Sequence, residues 1–255
     1  MAHPPIALMT EDFAAYHDLS QRLQAEELAF ESISPGSPIP DEVDVVITTA
    51  EERGDVRHDR IVVHSTPQAT VEETIRLLRG LEDVGRLVIG IDPGERPGLA
   101  VIADGHVIST RSTADPERVV DEVKALADRY EDAEVVVRVG HGAQTLRDRI
   151  VNGVLEAGHL VELVDETSSS PPRQRVAGER DKVAARVIAM TAGELVETQQ
   201  PIDVPPGEIR EIQRRSRKQS DGAVTISSTL AGKVATGALT LAEAVRRQCR
   251  KTKAS

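Results

Sequence analysis

Compact runs of β-branched and aliphatic residues alternate along this chain with stretches whose apolar positions recur at helical spacing. Ile6 to Thr10 reads as a short strand, and Phe13, Tyr16, Leu19, Leu23 and Leu28 follow at approximately helical intervals. Phe30 to Ser34 predicts a second strand, and the turn Pro35 to Pro40 leads to Val43 to Thr48 and Ile61 to His64. Both of these are runs of the kind buried in a parallel sheet. A helix over Thr70 to Gly80 closes a β-α-β-β-β-α unit, a small open α/β domain over residues 1–84. Asp12, Asp41 and Asp44 suggest an acidic pocket at strand ends, but helix caps and solvated turns are the commoner explanation of aspartates at such positions.

A second region, residues 85–200, has a sharper pattern. Leu87 to Ile91, Leu99 to Ala103 and His106 to Thr110 predict three strands in succession, with Pro93-Gly94 and Asp104-Gly105 as turns. A helix opens at Asp115-Pro116 and runs to about Tyr130. Ala133 to Val139 and Leu160 to Val164 predict two more strands, Thr145 to Ala157 the helix between them, and Asp181 to Val196 a last helix. Residues 205–255 predict a helix from Glu208 through Lys218, an extended piece at Val224 to Ile226, and helices at Ser228 to Ala235 and Leu239 to Gln248. The last two, joined by a glycine turn, suggest a helix-turn-helix.

Composition narrows the class. The 255 residues are 39% apolar and 29% charged, which suits globular domains and not a disordered chain. No apolar run approaches a membrane span, and the amino terminus lacks the features of a secretory signal, so a cytoplasmic protein without membrane contact is expected. The single cysteine, Cys249, excludes an intrachain disulfide and a multi-cysteine zinc site. Charge is unevenly spread: Pro205 to Ser255 carries a net +7, against −18 for everything before it. Lysine and aromatic residues are scarce, a composition resembling that of proteins from salt-loving archaea.

The strand and helix order of residues 85–200 resembles the RNase H-like fold, here a mixed five-stranded sheet covered by helices. The segment Ile89-Gly90-Ile91-Asp92-Pro93-Gly94, with Gly98-Leu99-Ala100-Val101 after it, is similar to the first motif of RuvC-type Holliday-junction resolvases and their YqgF relatives. Val164-Asp165-Glu166-Thr167-Ser168-Ser169 and Asp181-Lys182-Val183-Ala184-Ala185 match YqgF relatives as well. The resemblance implies a divalent-metal-dependent nuclease acting on structured DNA or RNA, with Asp92, Asp165, Glu166 and Asp181 as candidate catalytic and metal-binding residues. It also implies a homodimer where the substrate is a junction, although no long apolar seam marks one.

The chemistry agrees with that implication. Phosphodiester hydrolysis needs negative charge stabilised on the attacking and leaving oxygens, which two Mg²⁺ or Mn²⁺ ions about 3.5–4 Å apart can do. Hard cations take oxygen ligands, and three crowded carboxylates imply cations among them. Two positions depart from the family patterns. Arg138 lies in the fourth strand where RuvC-type enzymes end in glutamate, and Thr167 replaces the arginine usual in YqgF relatives.

Gly94 permits the turn after Asp92, and His141 in the loop Gly140-His141-Gly142 could face a phosphate. Arg214, Arg215, Arg217 and Lys218 are candidate phosphate contacts. Three alternatives are weighed: a non-catalytic nucleic-acid-binding scaffold, a dinucleotide turn at Gly140 to Thr145 lacking its third small residue, and an actin-like ATPase lacking its second phosphate loop.

Overall fold

The computed structural model describes residues 4–94, 96–113, 118–165 and 179–253, and the chain forms two compact units, Met1–Val84 and Gly85–Ser255. In the first, β1 (Ile6–Leu8), α1 (Phe13–Ala25), β2 (Phe30–Ser32), β3 (Val45–Thr48), β4 (Ile61–Val63) and α2 (Pro67–Leu78) follow in order. Among the described residues the strands pair in the order β2-β1-β3-β4, all parallel. Ile6, Leu8, Val45 and Ile47 pack on Leu19, Leu23 and Val71 of the helices, and Ala7, Met9 and Val46 meet Val43 and Val56 on the opposite face.

Local chemistry sets the helix starts. Asp12 accepts hydrogen bonds from the amides of Ala14 (2.8 Å) and Ala15 (3.0 Å), capping α1, and Thr66 caps α2 ahead of Pro67. Asp41 and Asp44 are exposed and precede β3, whereas Asp12 follows β1. In a parallel sheet these are opposite edges, so the three aspartates form no common pocket. The helical periodicity also overreached at Phe13, which is 81% exposed and stacks on His17.

At the carboxyl ends of β1 and β3, Glu52 accepts from the Glu11 amide and the Thr49 hydroxyl, both at 2.7 Å. Burial alone would raise its pKa, but these bonds and one from Thr10 outweigh that and hold it below the usual carboxylate value.

The second unit contains β5 (Arg86–Asp92), β6 (Gly98–Ala103), β7 (His106–Ser112), α3 (Val119–Arg129), β8 (Glu134–Gly140), α4 (Gln144–Glu156), β9 (Leu160–Val164), α5 (Glu179–Met190) and β10 (Glu194–Val196). Then come α6 (Pro206–Gln219), α7 (Ser228–Ala235) and α8 (Leu241–Lys253). Among the described residues the sheet order is β10-β9-β8-β5-β6-β7. β5 is antiparallel to β6 and β6 to β7, β5-β8 and β8-β9 are parallel, and β10 returns antiparallel to β9. The β6–β7 hairpin turns on Asp104 and Gly105, with φ of 45° and 82°, as a tight Asp-Gly turn requires.

The sheet therefore has six strands where five were expected, and the helix expected over Asp181 to Val196 ends at Met190. The reason lies at Gly193, where a Cβ would stand 2.7 Å from the Leu163 carbonyl carbon. Glycine lets the chain approach the β9 edge and pair with it. Val224 to Ile226, expected as an extended piece, belongs to no helix or strand, and the start expected at Asp115-Pro116 lies outside the described residues, within which α3 begins at Val119.

Helix α5 covers β5, β6 and β7, its Ala185 and Ala189 packing on Val88, Ala100 and Ile102; α3 and α4 pack together, with α4 on β8 and β9. Helices α6 to α8 enclose a core of their own, with Ile212, Ile226, Leu230, Val234 and Leu241 among its members. One stripe of α4 holds the segment leading to them. Thr145 donates to the Asp203 carbonyl (3.1 Å), Asn152 exchanges two hydrogen bonds with Gln200 (2.9 and 2.7 Å), and Arg149 donates to the Val234 carbonyl of α7 (3.4 Å). Among the described residues no helix is long and apolar enough to cross a membrane.

Candidate functional site

Asp92 is the last residue of β5, at the carboxyl end of a strand flanked on both sides. Its partner across the β5–β6 ladder is Gly98. The first turn of α5 rests on that glycine: a Cβ on Gly98 would be driven into the carbonyl oxygen of Asp181 and stand 2.6 Å from its carbonyl carbon. A side chain at position 98 would hold the helix off the sheet. With glycine there, the Asp181 backbone reaches the strand pair that ends in Asp92, from a helix that starts two residues before Asp181.

Asp165 follows β9 and is exposed, and β8 separates β9 from β5. At the spacing of about 4.8 Å between neighbouring strands, Asp92 and Asp165 sit at the same end of the sheet with backbones roughly 10 Å apart. Asp92 and Asp165 each take part in interactions of their own. Glu166, Thr167, Ser168 and Ser169 lie outside the described residues.

The loops after β5 and β8 are tied together. The Ala143 amide donates to the Pro93 carbonyl at 2.7 Å, and a Cβ on Gly142 would come within 2.6 Å of the same oxygen. Gly94 turns back on Asp92, its backbone N–H donating a 3.0 Å hydrogen bond to the Asp92 carbonyl. His141 is exposed in the second loop, ahead of α4, whose N-cap Ala143 offers no side-chain cap. This fixes a Gly94 turn, a histidine and a helix start beside Asp92.

Arg138 has a structural role that the sequence did not reveal. It pairs in register with Gly90 and Glu162, so it lies on the α5 face. Its guanidinium donates to Glu162 Oε2 and to the Ala189 carbonyl at the end of α5, both at 2.7 Å. Glu162 also accepts from the Gly193 amide at 3.1 Å. Burial works to raise the Glu162 pKa, but the Gly193 and Arg138 contacts outweigh it and hold the carboxyl below its ordinary value. The arginine thus joins β8, β9, the end of α5 and the turn into β10. A charged residue inside a strand opposite an acidic partner on the neighbouring strand was the signal available.

Aspartate oxygens suit a hard divalent cation, and Gly98 lets the Asp181 backbone approach the strand pair that ends in Asp92. Among the described residues no group of three or more His, Cys, Asp or Glu is arranged to hold a metal ion. The described carboxylates by themselves therefore make up no cation site.

On α6, Arg214 is tied to Glu211 at 2.7 and 2.6 Å, Arg217 donates to Thr225 at 3.2 Å, Arg215 is half-buried and Lys218 is exposed. The Arg214 bonds hold the Glu211 carboxyl below its usual value. Exposed arginines on α8, namely Arg246, Arg247 and Arg250, were not singled out from sequence although their spacing puts them on one face.

Two family models match the chain. A response regulator receiver-like domain matches residues 5–78, and a three helical bundle domain matches residues 205–251. No curated protein matches. The chain is thus similar to a receiver-like domain in its first unit and to a helical bundle at its end, and the sheet bearing Asp92 lies between the two matched segments.

Proposed function

We propose that this protein is a divalent-metal-dependent nuclease built on an RNase H-like sheet, acting on structured DNA or RNA. The observation that carries the reading is the seating of α5 on Gly98, which brings Asp181 to the strand pair ending in Asp92. The strand order supports it: three consecutive antiparallel strands and two parallel ones place Asp92 on the strand between the halves, with β10 added at the edge. The resemblance of the Asp92 segment to RuvC-type and YqgF-like motifs supports it too.

Asp92 and Asp181, with Asp165 or Glu166, would hold Mg²⁺ or Mn²⁺. The bound ions would supply a nucleophilic water and charge stabilisation at phosphorus. The chain's own residues orient the substrate. The tied loops at Pro93 and Gly142 fix the mouth of the site, the uncapped start of α4 and His141 face the phosphate, and the exposed Lys218 of α6 draws the backbone in. The reading places the protein in the cytoplasm, and for a junction substrate two copies would act together.

A second reading, a nucleic-acid-binding protein on the same sheet without turnover, is favoured by Arg138. That side chain is committed to Glu162 and Ala189, so β8 contributes no acid to the site.

Cleavage of branched DNA and of structured RNA, with Mg²⁺ or Mn²⁺, tests the choice. Wild type is expected to cut and Asp92→Asn to lose at least 100-fold in rate. Equal cutting by both, or none by either with binding retained, moves the conclusion to the scaffold.

A further inference from the structure

We propose that α8 is a docking surface for the phosphate backbone of duplex DNA, with Arg246, Arg247 and Arg250 as its contacts. The inference rests on the nucleic-acid part of the preceding reading and not on hydrolysis.

Helix α8 has two sides. Leu241 and Ala244 are buried in the bundle core, Val245 packs against it, and Gln248 accepts a hydrogen bond from the Ser227 amide at 3.2 Å. Arg246, Arg247 and Arg250 are exposed, separated by one, three and four residues, so they share the side turned away from that core. The turn from α7 into α8 passes through Gly237 at φ 79°, a left-handed position that glycine adopts without strain. The result is a short helix, a turn and a longer helix whose outer face is basic.

The arginines are available. On α6, Arg214 is spent on Glu211 and Arg217 on Thr225. Among the described residues no hydrogen bond or ion pair engages Arg246, Arg247 or Arg250. Glu243, the carboxylate that Arg246 and Arg247 act on, is held by Thr240 through its amide at 2.9 Å and its hydroxyl at 3.1 Å. All three arginines are exposed, on a segment of net +7 in a protein of net −11. A polyanion approaching this protein is attracted there and repelled by its net charge elsewhere.

The chemistry of the segment selects a duplex. Pro205 to Ser255 contains no Phe, Tyr, Trp or His, so there is no ring on which an unpaired base could stack. A helix about 10–12 Å across matches the roughly 12 Å major groove of B-form DNA, whereas the A-form RNA groove is too deep and narrow for one.

The test is fluorescence anisotropy with the full chain in EDTA, where cleavage plays no part, using a labelled mixed-sequence DNA duplex over a KCl series. Replacing Arg246, Arg247 and Arg250 together by Ala is expected to weaken binding at least tenfold and to reduce the slope of log K against log [KCl] by about 2–3. The triple Lys variant should retain most of the slope, and Arg250→Glu alone should weaken binding if the triple Ala variant fails to fold. Unchanged affinity and slope, absence of duplex binding by wild type, or single strands or duplex RNA bound as tightly as duplex DNA would overturn the proposal. Binding through α8 without metal-dependent cutting would uphold it while the nuclease reading failed.

Discussion

Gly98 and Asp181 meet backbone to backbone, with the carbonyl of the helix residue occupying the space where a Cβ on the strand residue would stand. Gly98→Ala must push the start of α5 away from the ladder that ends in Asp92. We expect it to destabilise the second unit by about 1–3 kcal/mol, the usual cost of overpacking, measured by urea unfolding. The contrast is Gly207 in the first turn of α6, around which nothing lies within 4 Å. Gly207→Ala is expected to be neutral or stabilising by up to about 1 kcal/mol, since alanine loses less backbone freedom in a helix.

Arg138 and Glu162 are 12% and 18% exposed, so little water replaces either when the other is removed. Arg138→Met is expected to cost about 2–4 kcal/mol at pH 7, a little below the range for a fully buried pair, because Glu162 keeps the Gly193 amide and the nearby charge of Arg86 but loses its ion pair. The pH dependence has a definite sign. The folded carboxyl titrates below the unfolded value of 4.5. Its stabilising contribution is therefore complete above that value and disappears as pH falls through the folded one. Glu162→Gln should remove this part of the acid limb, so wild type and variant differ most near neutrality and converge in acid, as read from urea midpoints between pH 3 and 7.

The sheet strands were legible because each is a compact apolar run, and the β6–β7 hairpin because Asp104-Gly105 dictates its turn. β10 was not legible. Glu194-Leu195-Val196 is too short to carry a period, and it exists as a strand because Gly193 allows close approach to β9, a tertiary fact. The receiver-like character of the first unit was hidden for a related reason: β3 and β4 are joined by a crossover whose only regular piece is the 3₁₀ turn Arg53–Asp55, so the expected βα alternation is absent. Motif spacing drew attention to Asp92 and Asp181, and what spacing could not reveal is that Gly98 lets the Asp181 backbone reach the strand pair ending in Asp92. Spacing could not reveal that Arg138 is consumed in packing, because its partners lie 24 and 51 residues away.

Asn152 secures the segment between β10 and α6 by exchanging two hydrogen bonds with the Gln200 backbone. Asn152→Ala leaves both backbone groups to find water. A loss of about 1–3 kcal/mol is expected, together with faster proteolysis between residues 197 and 205. Cleavage no faster than in wild type would mean that Thr145 and Arg149 hold the segment without Asn152.

Gly142 offers the sharpest separation of site geometry from stability. Its loop is exposed, so little core packing is at stake, yet a Cβ there would press on the Pro93 carbonyl that receives the Ala143 amide. Gly142→Ala must move one of the two loops flanking Asp92. Misplacement of reacting groups by about 1 Å costs on the order of 100-fold in rate. On the nuclease reading, the expected outcome is a fall of at least tenfold in kcat for Mn²⁺-dependent cutting, with an unfolding midpoint close to wild type and any duplex binding in EDTA unchanged. A variant that cuts at the wild-type rate would show that the Pro93 and Gly142 loops do not shape the reacting site, even if Asp92 does.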